Sequence, residues 1–503
     1  MFCKTKVSLK SKAIVVMAAC FVLGQSSTCF AQKKMDSLLN WQYNQASLHW
    51  LVQTNANWQT DLNVPEYGMA TATANLTSGR YRLPMEAEKT NQFKPGLEGM
   101  RRLNEWQING ALTYTKQYDE GIGWSNVYDA YGGSPLIWAD SGKGNWERDH
   151  IVARLQLITP QIAEKWRAAM GLDYHVGTGA RNTDPKPFYR YRLIALQPGM
   201  QYQKGRHTLG ISGNFSFEQE ENELGFYARD NVLLYRVRGY GLFSRTSFVN
   251  GERKRNGWQA TGNLQWQYQT LKDKKWLLNI FAGSGEEEVT EGVANPVSTG
   301  FYQPIKAGAD IVQQHGNMEN GGRWQLRYLY HAGFIDDVIL KAEAAANYKQ
   351  QVQGEWAFWK QKNKLHTQWQ FKPSFTSIEW VDQATQTQLY AATAALESGW
   401  IGQINSSNKN KWLLELGAGY HHNLESFINS RVDNVVISDL IMPAYDYFSF
   451  HRLSSNAQVI YQWNTARNKY QHRVQAQVNA MIPLGSQQDF QRMHASLTYS
   501  YLF

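Results

Sequence analysis

The alternation that ends this chain constrains its fold more than any other feature. Tyr470, His472, Val474, Ala476, Val478, Ala480 and Ile482 are mostly apolar, and Gln471, Arg473, Gln475, Gln477 and Asn479 stand between them. A β-strand sends successive side chains to opposite faces, so this segment has one oily and one wet face. After a short polar turn the pattern returns. Met493, Ala495, Leu497, Tyr499, Tyr501 and the final Phe503 face one way; His494, Ser496, Thr498 and Ser500 face the other. A soluble sheet rarely repeats this for a whole chain. A barrel in a bilayer must, because each strand meets lipid on one side and a polar interior on the other.

The same period runs from Tyr67 onward. Trp106, Ile108, Leu112 and Tyr114 alternate with Gln107, Asn109, Thr113 and Thr115; Trp258, Leu264, Trp266 and Tyr268 alternate with Gln259, Asn263, Gln265 and Gln267. Aromatics gather at the ends of such runs, where amphipathic rings suit the two water–lipid boundaries. Charged residues are only 18% of the chain, yet its mean hydropathy is −0.52. No run of about 18 apolar residues exists to span as a helix. The fold expected is all-β: a transmembrane antiparallel β-barrel of about 18 strands, or 16, since the count depends on how residues 232–243 are read. That stretch also reads as a hairpin within a loop, and the strands beginning at Tyr67 and Gln386 alternate poorly.

Residues 1–31 read as a signal peptide. Lys4, Lys6, Lys10 and Lys12 precede an apolar core from Ala13 to Leu23, and the small residues Cys29 and Ala31 set cleavage after Ala31. The alternative is lipid attachment at Cys20. All three cysteines (Cys3, Cys20, Cys29) fall in this segment, which excludes disulfides and thiolate metal sites from the mature chain. Removing four lysines lowers the formal charge from +9 to +5, too mild an excess to argue for nucleic acid. Residues 32–65 hold a helical stripe, Leu38, Leu39, Tyr43, Ala46 and Trp50, and are expected to form a periplasmic or plug segment before a barrel over 66–503.

Short turns belong to the periplasmic side of such barrels and long loops to the outside. Turns are expected near Asn104-Glu105, 159–165, 203–206, 271–274, 315–321, 359–363, 402–410 and 464–469. Long loops are expected over 119–146, 179–189, 219–256, 286–300 and 425–444. The loop 121–146 carries Trp124, Tyr128, Tyr131, Trp138 and Trp146. Five aromatics in a long loop imply that it folds inward as a lid, or that it grips a ring-bearing ligand. Its Asp140-Ser141-Gly142-Lys143-Gly144 looks like a calcium loop but lacks alternating carboxylates and reads as a turn. Glu286, Glu287, Glu288 and Glu291 read as a solvated acidic run, or as a weak divalent-cation site. Arg253-Lys254-Arg255 reads as a basic loop.

Arg154, Arg327, Lys341, Arg452, Arg473, Glu343 and Glu415 are expected in the lumen. Their excess of cations implies a channel mildly favouring anions, or salt-bridged filling. His421 and His422 are adjacent, face opposite ways and cannot share one metal. No HExxH, GxSxG or P-loop occurs, so no catalytic residue, metal or cofactor is expected; a membrane-embedded hydrolase is the minor alternative.

The segments WSNVYDAYGGSPLIWADSGKGNWERD and YHVGTGARNTDPKP, the strand pattern around them and the terminal YSYLF resemble a Bacteroidota family of outer-membrane β-barrel proteins of unknown function. The resemblance covers nearly all of the mature chain. It implies an outer-membrane location, the barrel fold and genetic company with a TonB-dependent uptake system; the partners expected of such a barrel are outer-membrane lipid and lipopolysaccharide and the barrel-assembly machinery. It carries no substrate and no catalytic residues. The role expected is a porin-like or accessory barrel for solute uptake, with a closed surface scaffold or adhesin as the alternative.

Overall fold

The computed structural model describes residues 54–62, 66–225, 233–247, 251–270, 274–317, 319–405, 410–465, 470–485 and 490–503. The expected signal peptide and most of the 32–65 segment lie outside these. Eighteen strands join in chain order into one antiparallel sheet, which closes where Tyr67–Gly79 pairs with Arg492–Leu502. Closure leaves no edge, so every strand's backbone groups find partners within the sheet, as hydrocarbon surroundings demand.

The two faces separate as the period requires. Leu264, 60% exposed, stands beside Ile211 on one neighbouring strand and Ile280 on the other, and all three point outward. Asn263 and Gln265, one residue to either side, point inward and are buried. The poorly alternating strand Tyr67–Gly79 fits because its outward residues are small. Ala70, Ala72 and Ala74 face Tyr501, Tyr499 and Leu497 across the closing pair, so large neighbours cover them. At the short-turn end the outward face carries an aromatic belt, with Trp166 on Tyr202 (4.6 Å), Trp276 on Trp324 (5.6 Å) and Trp412 on Tyr461 (4.3 Å). Asn104 and Glu105 both take positive φ (47° and 73°), which a two-residue hairpin turn requires.

Toward the long-loop end, outward side chains change from apolar to paired charges: Lys116 with Asp149, Arg190 with Glu221 and Glu223, and Lys254 with Glu221. The strands therefore run on beyond the greasy band. This corrects several expected loops. His207–Leu224, Gly251–Gln269 and Lys275–Glu291 absorb the basic and acidic runs as strand. Arg255 and Glu287 then point inward and pair at 3.2 Å, while Glu286 and Glu288 stay outside. The described part of the 232–243 stretch is a hairpin outside the barrel sheet: Leu233–Val237 and Phe243–Ser247 form a small sheet with Ile137–Ala139. A strand expected from residue 445 starts at Arg452, because Ile437–Ile441 and Met442–Ser449 form a continuous helical segment.

Candidate functional site

Four long loops meet over one mouth of the barrel. They are 80–88, 123–143, the described part of 225–250, and 430–451. Their apolar residues share a core: Val127, Leu136 and Ile137 from the second, Tyr235, Val237 and Tyr240 from the third, and Val436, Ile437, Leu440 and Ala444 from the fourth. Leu83 and Met85 of the first pack against it. The core continues onto inward residues of the barrel rim, Tyr302, Ile335, Ala345 and Leu389. Apolar groups from separate loops gain by leaving water together, so this cluster holds the loops across the opening.

Polar contacts fix the lid to the wall. Arg238 reaches down to Asp337, a carboxylate with no exposed side-chain surface, donating through Nε at 2.5 Å and through Nη2. Trp138 donates its indole N–H to Glu291 (2.7 Å), and Asn347 donates to Tyr240 Oη (2.8 Å) and Gly133 O (3.2 Å). Arg181 and Asp140 form an ion pair at 2.8 Å with both side chains wholly buried. Burial pushes the Asp140 carboxyl up and the Arg181 guanidinium pulls it back.

All five lid aromatics turn inward. Trp124, Trp138 and Trp146 are buried, Tyr128 stacks on Tyr191 (4.1 Å), and Tyr131 accepts the Met85 N–H (3.1 Å). Trp146 belongs to the strand Gly144–Ile158, not to the loop. Tyr128 also meets His150 and His175, a histidine pair 3.3 Å apart on the lumen wall. Sequence reading missed this nest, because its members lie on separate strands.

The opposite end is occupied by residues 54–62, whose Ala56–Leu62 is a 3-10 helix. Trp58 is fully buried and donates to Gln265 Oε1 (2.7 Å); Asn55 donates to Gln265 Oε1 and to the carbonyls of Met200 and Ile211. Gln59 donates to Gln156 (2.6 Å), and Arg167 donates to Thr60 (2.7 Å). Gly199 and Gly210 make the seat, since a Cβ on Gly199 would lie 2.4 Å from Asn55 Oδ1. The described part of the expected plug segment thus lies against the inner wall at the short-turn end.

Five of the seven expected lumen charges face inward. Arg154 pairs with Asp173 (2.7 Å), Arg327 pairs with Asp310, and Glu415 accepts from Asn456 (3.4 Å). Arg452 donates to Tyr81 of the first lid loop (3.1 Å), and Arg473 lies buried beside Ser500. The other two do not. Lys341 occupies an exposed turn with φ of 54°. Glu343 pairs with the outward Asp336, because a bulge at the rim shifts the register and turns it away from the interior. Among the described residues, no three His, Asp or Glu side chains come together as metal ligands.

The described residues line cavities inside the barrel, two of which bear on the lid and the lumen charges. One, of about 370 Å³, mixes charges of both signs, including Lys372, Glu397, Glu415 and Arg492. The other, of about 550 Å³, lies directly beneath the lid. Its lining includes the lid residues Met85, Tyr131, Tyr240 and Leu440 and the wall residues Lys306, His331, Lys349 and Trp380.

Several solved structures are similar to the chain at a low level. The ferric preacinetobactin receptor BauA from Acinetobacter baumannii is 8% identical with a TM-score of 0.39, over 88% of this chain and 81% of that one. The ferric yersiniabactin uptake receptor FyuA from Yersinia pestis is 9% identical at 0.37, over 86% and 80%. The ferric citrate transporter FecA, in its unliganded form, is 9% identical at 0.40, over 87% and 79%. None of the curated proteins compared with the chain matches it. A family model does match, over residues 49–503, nearly the whole span from the 3-10 segment to the closing strand, and the chain belongs to that Family of unknown function (DUF6850).

Proposed function

We propose that the protein is an outer-membrane barrel of solute uptake whose extracellular mouth is closed at rest by the lid, an accessory or gated vessel and not an open porin. One observation carries this reading: eighteen buried apolar residues from the lid loops and the rim form a single core across the opening. Loops that only border an open pore are solvated by water and need no shared core. In this reading the long-loop end faces outward and the short turns face the periplasm. The signal peptide over 1–31 delivers the chain, the barrel-assembly machinery inserts it, and lipid and lipopolysaccharide cover the greasy band. A TonB-dependent receptor is the proposed neighbour.

Planar-bilayer recording tests the reading. The full mature chain should pass little steady current. Replacing residues 430–451 by a short Gly-Ser turn should raise it at least tenfold, since that loop supplies Val436, Ile437, Leu440 and Ala444 to the lid core. A steady, wide conductance in the unaltered protein would overturn the closed lid. A barrel that stays sealed in both forms would instead be the surface scaffold.

A further inference from the structure

Several lumen cations in this barrel are matched by a carboxylate. Arg154 faces Asp173, Arg327 faces Asp310, Arg323 faces Glu355, and Arg255 faces Glu287. Lys306, His331 and Lys349 show no such ion pair among the described residues, and they stand together. Lys306 is the direct cross-strand partner of His331, and His331 is the direct cross-strand partner of Lys349. Direct neighbours on one face of a sheet have Cβ atoms about 5 Å apart, and like charges placed so are destabilising. Among the described residues the lining of this cavity includes no Asp or Glu, and Lys306 donates to Gln259 Oε1 at 3.4 Å. The row therefore presents positive charge with no carboxylate beside it to the cavity under the lid.

The rest of the lining of the same space is largely apolar. Met85, Tyr131, Tyr240, Leu440, Trp380 and Phe448 line it, and Tyr240 lies flat on Trp380 at 4.9 Å with Phe448 edge-on at 5.6 Å. The row and this apolar lining are close. Asn347, whose amide holds Tyr240 and Gly133, is two residues along the strand from Lys349, about 7 Å. A cavity of about 550 Å³ is of the size that holds small organic ligands, and such sites combine an apolar body with a few oriented polar groups.

We propose that the chamber under the lid binds an amphipathic organic anion. Its acid group lies on the Lys306–His331–Lys349 row and its ring or branched apolar body lies against the aromatic roof. This rests on the uptake reading and names the chemical class that the vessel holds. A neutral molecule leaves the row unmatched; a small inorganic anion leaves the roof unused.

The test uses the full mature chain in lipid nanodiscs, titrated calorimetrically with 2-naphthoate, 2-naphthyl phosphate, the neutral 2-naphthamide and inorganic phosphate. Both aryl anions should bind at least tenfold more tightly than the amide and than inorganic phosphate, with affinity falling as salt rises. The Lys306→Gln/Lys349→Gln double variant should lose that preference while its amide affinity stays unchanged, which separates a lost site from a lost fold. The ratio of the two aryl anions tells carboxylate from phosphate recognition. Equal binding of anion and amide, equal binding of inorganic and aryl phosphate, no anion binding, or an anion preference surviving in the double variant would each overturn the proposal. Conductance is read separately: silence in the bilayer without anion binding overturns this inference alone, whereas anion binding to a barrel already open at rest overturns only the closed lid.

Discussion

Arg238→Met removes the charged arm that ties the hairpin loop to the barrel rim. The methionine keeps the stem's apolar contacts but none of the donors. Asp337 is then left with no exposed side-chain surface and no counter-charge, though it still accepts the Ile339 and Leu340 N–H groups at 2.8 Å. Breaking a buried pair by removing one partner costs about 3–5 kcal/mol. The two remaining backbone donors recover part of that, and about 2–3 kcal/mol is the expected loss. It falls on docking of the lid and not on the barrel, because Arg238 lies outside the eighteen-stranded sheet. At about 1.4 kcal/mol per decade, the undocked population rises some 30- to 150-fold. Hydrogen exchange of amides 233–247 should accelerate by that factor, while amides of the neighbouring wall strand Asn320–Asp337 keep their protection. Exchange in the hairpin changed by less than threefold would refute the view that this pair docks the lid. Equal acceleration in the wall strand would show that lid and barrel are not separate cooperative units.

Gly199→Val should unseat residues 54–62, since the new side chain takes the space of Asn55; protease added to the short-turn side should then release the N-terminal segment from a barrel that still migrates as folded. Trp58→Ala should do the same by creating a cavity, at about 3–5 kcal/mol, with intrinsic tryptophan fluorescence of a Trp58-reporting variant as a second readout. Asp140→Ala strands the buried Arg181 and should cost the lid about 3–5 kcal/mol. The Asp140→Leu/Arg181→Met pair should recover most of that in a double-mutant cycle on lid exchange. Leu264→Arg places charge in the outward band and should destabilise insertion by about 2–4 kcal/mol in bilayer folding titrations.

The strands and their faces were legible because side-chain alternation is a local property: two residues of context decide which side is oily. That is why Trp106, Ile108 and Leu112 could be assigned to the outward face, and why Asn104-Glu105 could be read as a turn. Charge misled where strands outrun the bilayer. Glu286 to Glu291 look like loop because membrane strands are expected to end where hydrocarbon ends, yet here the ladder continues into water. Glu343 was misassigned because a single bulge reverses parity, and no residue type announces it. Residues 445–449, expected as the start of a strand, are helical: Tyr445, Tyr447 and Phe448 favour extended chain in isolation, and packing on the lid core overrides that preference.

Local pattern determined that this chain makes a closed sheet with lipid outside, since repetition of period two leaves no other way to bury so much apolar surface at so low a mean hydropathy. Tertiary structure alone decided what fills and covers that sheet. The lid core draws on loops separated by hundreds of residues, and the Lys306, His331 and Lys349 row exists only through strand register. Register depends on every turn and bulge between the strands, so it is summed along the chain and cannot be read at any one position.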